Sequence, residues 1–191
     1  MKILLDGCSM TWGLNLDPKD RLEHLLTTEA GHTVTNNSRP GKSNLAMSMD
    51  IYNSAEDHDL ILVGWSYTSR FYLKYKNYDI DFMPTVSVLD LPIERDSGLL
   101  NDAYNNFHKY FYTMFENKFA SNFSDMLVNQ TYTWCKYQGK KCVFFSWDHR
   151  ISDFDIYYPY IPPHHKLPCG HLNQAGTRQL FTNLKELINE S

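Results

Sequence analysis

Apolar residues fall along this chain in two alternating patterns. Short unbroken runs are separated by stretches where apolar positions recur every three to four residues. Lys2–Asp6 is an apolar run that ends at Gly7, which predicts a buried strand followed by a turn. Pro18–Ala30 carries Leu22, Leu25 and Leu26 on one helical face, with Gly31 as a stop signal. His32–Asn36 reads as a second strand, and Arg39-Pro40-Gly41-Lys42 as a loop. Ser43 is placed to cap a helix running from Asn44 to Ser54. Asp59–Gly64 is apolar without alternation, as in a sheet covered on both faces.

The rhythm breaks over residues 71–100, where Tyr, Asp, Pro and Gly follow no sustained period; this predicts an irregular insert overhanging a site. From Asn101 to Tyr137 a helical spacing returns in Tyr104, Phe107, Phe111, Phe115 and Phe119, a stripe that reads as core or a dimer seam. A break near Asn122-Phe123-Ser124 would split this stretch into two helices. Lys141–Ser146 predicts another buried strand, residues 148–170 a long loop rich in Pro, Tyr and His, and Asn173–Asn189 a closing helix. Strands thus alternate with helices from the first residue. That order predicts the α/β class: a three-layer α/β/α sandwich whose central parallel sheet has helices on both faces.

Composition narrows the picture little. A length of 191 residues suits one domain, here taken as residues 1–191 with the insert inside it. Net charge is −4 and the one lysine run is Lys140-Lys141, so no basic footprint for nucleic acid is expected. No apolar stretch is long enough to span a membrane, and the first apolar run meets Asp6 too soon for a signal peptide. A cytoplasmic location is expected. Aromatic residues make up 15% of the chain, which suits a Tyr-heavy core and rim as well as a carbohydrate-contacting surface. The four cysteines form no CxxC pair. His164, His165, Cys169 and His171 are metal-ligand types at short spacing, so a zinc site is a third-rank reading; the expectation is no metal and no cofactor.

In an open parallel sheet, ligands sit beyond the carboxyl ends of the strands. Gly7-Cys8-Ser9-Met10-Thr11-Trp12-Gly13, Asn37–Asn44 and Gly64-Trp65-Ser66 fall there, and Gly170-His171-Leu172-Asn173-Gln174-Ala175-Gly176 precedes the last helix. A serine on a turn after a buried strand lifts its hydroxyl into a cleft, and a histidine is the base that titrates near neutrality. The first segment resembles the Gly-Asp-Ser-x-Thr-x-Gly block of the SGNH (GDSL-like) hydrolases. His171-Leu172-Asn173 with Gly176 resembles their closing block, and Gly41 fits the second. The first block is also similar to small SGNH-like proteins of tailed bacteriophages, which would place the protein in the host cytoplasm.

The resemblance implies a flavodoxin-like sheet and a serine esterase or acyl-hydrolase with Ser9 as nucleophile and His171 as base. Gly41, Ser66, Asn44 and Arg70 are then the candidates for oxyanion and substrate contacts. The implied partner is a small ester or O-acetylated sugar. Three positions depart from the family. Its opening Asp is Cys8, expected in the core; its Gly-x-Asn is Gly64-Trp65-Ser66; and the Asp three residues before its His is Pro168. Asp148, Asp153 or a backbone carbonyl is left to orient His171. With those groups missing, the alternative reading is a binding module for a glycan or protein partner.

Overall fold

The computed structural model describes residues 1–75, 78–82, 117–151 and 156–190. In chain order the elements are β1 (Lys2–Gly7), α1 (Ser9–Trp12), α2 (Leu22–Thr28), β2 (Thr33–Asn36), α3 (Asn44–Ser54), β3 (Leu60–Trp65), β4 (Phe71–Tyr75), β5 (Tyr78–Phe82), α4 (Asn117–Tyr137), β6 (Lys141–Ser146), β7 (Ile156–Tyr157) and α5 (Gln174–Glu190). Short 3₁₀ turns lie at Pro18–Asp20 and Pro163–His165.

Five strands form one parallel sheet in the order β2-β1-β3-β6-β7. This is the flavodoxin-like order, with the strand direction of travel reversing between β1 and β3. Crossovers between parallel strands are right-handed, so α2, which carries the chain toward β2, covers one face. The later connections through α3 and α4 travel the other way and cover the opposite face. The packing agrees: α2 lies against α5, and α3 against α4. Every residue of β3 is buried, as are Ile3–Gly7 of β1, which explains their unbroken apolar runs.

Four sequence expectations change. The helix expected over Pro18–Ala30 is a 3₁₀ turn and α2, separated by Arg21 in extended conformation (φ −77°, ψ 151°). The expected break at Asn122-Phe123-Ser124 is absent, and α4 runs through it. Ser124 is buried there and accepts a hydrogen bond from Asn44 of α3 (3.2 Å), so its hydroxyl is satisfied without ending the helix. The start of the insert is an antiparallel hairpin of β4 and β5, with Tyr75 paired to Tyr78. The long loop after β6 carries the edge strand β7, paired at Phe144–Ile156 and Phe145–Tyr157. The rest of the insert and the stripe from Tyr104 to Phe115 lie outside the described residues. Among the described residues, no helix is long and apolar enough to cross a membrane.

Candidate active site

β1 ends at Gly7, and the chain turns at once into α1, with Cys8 in extended conformation before it and Ser9 its first residue. Gly13 (φ 79°) closes α1 after one turn. Thr11 folds back over the strand ends. A Cβ on Gly7 would fall 2.3 Å from Thr11 Oγ1, and one on Gly64 would fall 2.2 Å from it. Glycine at both strand ends therefore lets the turn close down on the sheet. Ser9 stays largely buried at its rim, and Cys8 points into the core as expected.

His171 arrives from the far end of the chain. Leu167 and Gly170 close a tight turn (Gly170 N–H to Leu167 C=O, 2.8 Å), and Leu167 N–H donates to His171 C=O at 2.7 Å. Lys166 and Leu172 pair across it, with Gly170 at φ 84°. Asn173 then caps α5: its Oδ1 accepts the Gly176 N–H at 3.0 Å, and its Nδ2 holds the His164 carbonyl at 2.9 Å. A Cβ on Gly176 would lie 2.3 Å from the His165 carbonyl oxygen. Each residue of the closing block thus fixes the segment that presents His171. Its Nε2 lies 2.9 Å from Ser9 Oγ. Desolvation, then the positive charge of Arg70, hold the imidazole below its ordinary pKa.

The other expected residues divide. Gly41 (φ 80°) is buried in the loop after β2, and that loop is tied to β1: Asn37 N–H donates to Leu5 C=O (2.8 Å) and Arg39 N–H to Gly7 C=O (3.1 Å). Asn44 is a clamp between elements. Its Oδ1 accepts the Ser66 N–H (2.8 Å), while its Nδ2 donates to the Ser66 carbonyl and to Ser124 Oγ (both 3.2 Å). Ser66 is fully buried, and its hydroxyl has no hydrogen-bond partner among the described residues. Arg70 lies over the Tyr67 ring at 5.4 Å, with Nη1 buried and unpaired among the described residues.

Asp148 does not serve His171. Its carboxylate accepts the Thr68 N–H (2.9 Å) and Thr68 Oγ1 (3.2 Å) and pairs with Arg150 (2.7 Å). Asp153 lies outside the described residues. The sulphur of Cys169 stands behind the histidine instead, with Sγ 3.3 Å from His171 Nδ1. The zinc reading finds no support in this geometry. His165 Nδ1 is bonded to Gln179 Oε1 (2.8 Å), His171 lies between Ser9 and Cys169, and no cluster of three potential ligands occurs among the described residues.

Sequence reasoning also missed a buried ion pair beneath the site. Lys42 Nζ, fully buried, contacts Asp6 Oδ1 (2.5 Å), Asp6 Oδ2 (2.7 Å), the Asn37 carbonyl (2.9 Å) and Asp50 (2.6 Å). Asp6 also accepts the Gly7 N–H at 2.6 Å. Burial pushes the Asp6 carboxyl up to about 6 against the pull of Lys42. An Asp ending an otherwise apolar strand was the available signal.

No family model matches the sequence, and no curated protein matches it. Solved structures do. TesA superposes with a TM-score of 0.58 at 12% identity, covering 97% of each chain. The psychrotrophic esterase EstA from Pseudoalteromonas sp., in a structure inhibited by monoethylphosphonate, gives 0.56 at 9% identity over 98% of each chain. The chain has the SGNH (GDSL-like) hydrolase fold. In that SGNH frame the first and last sequence blocks lie side by side at the carboxyl end of β1, where the strand order reverses.

Proposed function

We propose that this chain is a serine esterase or acyl-hydrolase acting on a small ester or an O-acetylated carbohydrate. The observation that carries the reading is the 2.9 Å contact between Ser9 Oγ and His171 Nε2. Ser9 Oγ–H donates to Nε2; as the oxygen attacks the ester carbonyl, His171 takes the proton. The Ser9 N–H lies in the first turn of α1, where no intrahelical acceptor exists, and it and the Gly41 N–H are the donors for the oxyanion. His171 then protonates the departing alkoxide, and water, deprotonated by the same ring, clears the acyl group from Ser9. Arg70 supplies positive charge beside the ring, toward the developing oxyanion or an anionic part of the substrate. Asn44 is not among the donors, because both its amide hydrogens are committed between Ser66 and Ser124.

That commitment, with Asp148 held by Thr68 and Arg150, favours the second reading: the same fold as a binding module for a glycan or protein. Fluorophosphonate labelling and p-nitrophenyl acetate turnover separate the two. Labelling that is lost in Ser9→Ala supports the hydrolase. No labelling and no turnover between about pH 6 and 9 leaves the binding module.

A further inference from the structure

His171 can act as a base at Nε2 only if its proton sits on Nδ1. Something must therefore accept a hydrogen bond from Nδ1, and the described carboxylate expected there, Asp148, is engaged elsewhere. The atom in place is Cys169 Sγ, 3.3 Å away and on the ring edge opposite Ser9. The turn explains why it reaches. Pro168 and Cys169 are the two central residues of the Leu167–Gly170 turn, and Gly170 in the left-handed region brings the chain back so that Cys169 lies beside the ring two residues on.

A second donor meets the same sulphur. Asn15 Nδ2 donates to Cys169 Sγ at 3.7 Å. Asn15 follows directly on the turn that carries Ser9 and is the one non-glycine residue among those described with a positive φ (68°). The sulphur accepts the Asn15 amide and has a further lone pair directed to His171, and we take Nδ1–H as the donor of that contact. The lone pair on Nε2 is then left for Ser9.

We propose that Cys169 is the positioning residue of the site: its sulphur, held by Asn15, fixes the tautomer and orientation of His171 where a carboxylate would otherwise stand. The inference rests on the Ser9–His171 reading for its catalytic meaning but not for its geometry. A thiol is a weaker acceptor than a carboxylate and carries no full charge, so it stabilises the imidazolium of the transition state less. Replacing Cys169 by Ala removes one modest hydrogen bond and is expected to slow Ser9 labelling about fivefold near neutral pH. Replacing it by Asp is expected to restore the rate or exceed it. It also raises the His171 pKa, because a negative charge then faces a ring otherwise bordered by Ser9 and Arg70.

The test pairs the imidazole ¹⁵N spectrum of His171 with the pH profile of fluorophosphonate labelling, in the wild-type chain, Cys169→Ala, Cys169→Asp and Asn15→Ala. The expected wild-type spectrum shows the Nδ1–H tautomer, and Cys169→Ala moves the ring toward Nε2–H. An unchanged tautomer ratio in Cys169→Ala overturns the proposal, whatever the labelling rate. If wild type is never labelled while the tautomer still follows Cys169, the positioning role stands and the hydrolase reading fails.

Discussion

In the proposed hydrolase His171 must be neutral to accept a proton, so its pKa would set the acid limb of that activity. Burial and Arg70 both disfavour the charged ring and hold that pKa below the ordinary histidine value. The sign follows directly: activity rises with pH through a midpoint on the acid side of an ordinary histidine, and the site is already largely competent near neutrality. Arg70→Gln removes the nearby positive charge. Its expected effect is a midpoint moved to higher pH, read from kcat/KM against pH, which reports the free enzyme. A midpoint that stays put would mean that desolvation alone sets the ring. The serine and histidine of this pair were legible in the sequence because each belongs to a short block with its own local geometry. Cys169 was not, since only the tight turn at Gly170 shows that its sulphur stands behind the ring. Asp148 misled for the converse reason: a nearby carboxylate in sequence is spent on Thr68 and Arg150 in space.

The elements meet at the ends of β1, β2 and β3, and two devices hold them together there. The first is steric. With Thr11 against Gly7 and Gly64, Gly7→Ala forces the short helix α1 off the sheet. A loss of about 1–3 kcal/mol is expected in urea unfolding, accompanied by loss of Ser9 labelling even where the chain remains folded. The second is ionic. Lys42 joins Asp6 on β1 to the loop holding Gly41 and to Asp50 on α3. Lys42→Met leaves Asp6 without its cation in the core, a change that costs about 3–5 kcal/mol in comparable buried pairs. The double variant Asp6→Asn with Lys42→Met should recover much of that loss by removing the orphaned charge. Equal destabilisation in single and double variants would show that Lys42 matters for packing rather than pairing. The steric device left no mark in one dimension, and the ionic one left only the Asp6 that ends an apolar strand. A lysine in a Pro-Gly loop reads as solvated until the strand that ends in Asp6 is seen beneath it. The β4–β5 hairpin reads as irregular in the sequence, because Phe71–Tyr75 does not alternate and hides the period-two pattern of Tyr78-Asp79-Ile80-Asp81-Phe82.

At the scale of the molecule, burial at the end of β1 sets one described carboxylate apart from Glu29, Asp59 and Asp148. The described carboxylates whose pKa is lowered, Glu29, Asp59 and Asp148, add stability as pH rises, since the unfolded chain binds their protons more tightly. Asp6 runs the other way. Its carboxyl, buried at the end of β1, is raised to about 6 from 3.8, so the folded chain is the tighter proton binder between those values. The stability it contributes is full below about pH 4 and is lost as pH climbs through about 6. At about 1.4 kcal/mol per pH unit, that window corresponds to a change on the order of 3 kcal/mol. Overall stability against pH cannot isolate this, because the other carboxylates push oppositely, but the difference between wild type and Asp6→Asn can. That difference, from urea midpoints at fixed ionic strength, should move against the wild type from pH 4 to 6 and level off above it. A flat difference would mean that Lys42 and the Gly7 N–H fully offset the burial of Asp6. The buried pair would then be an ordinary salt bridge at every working pH, and the loops carrying Ser9 and Gly41 would stay tied through the same range in which His171 titrates.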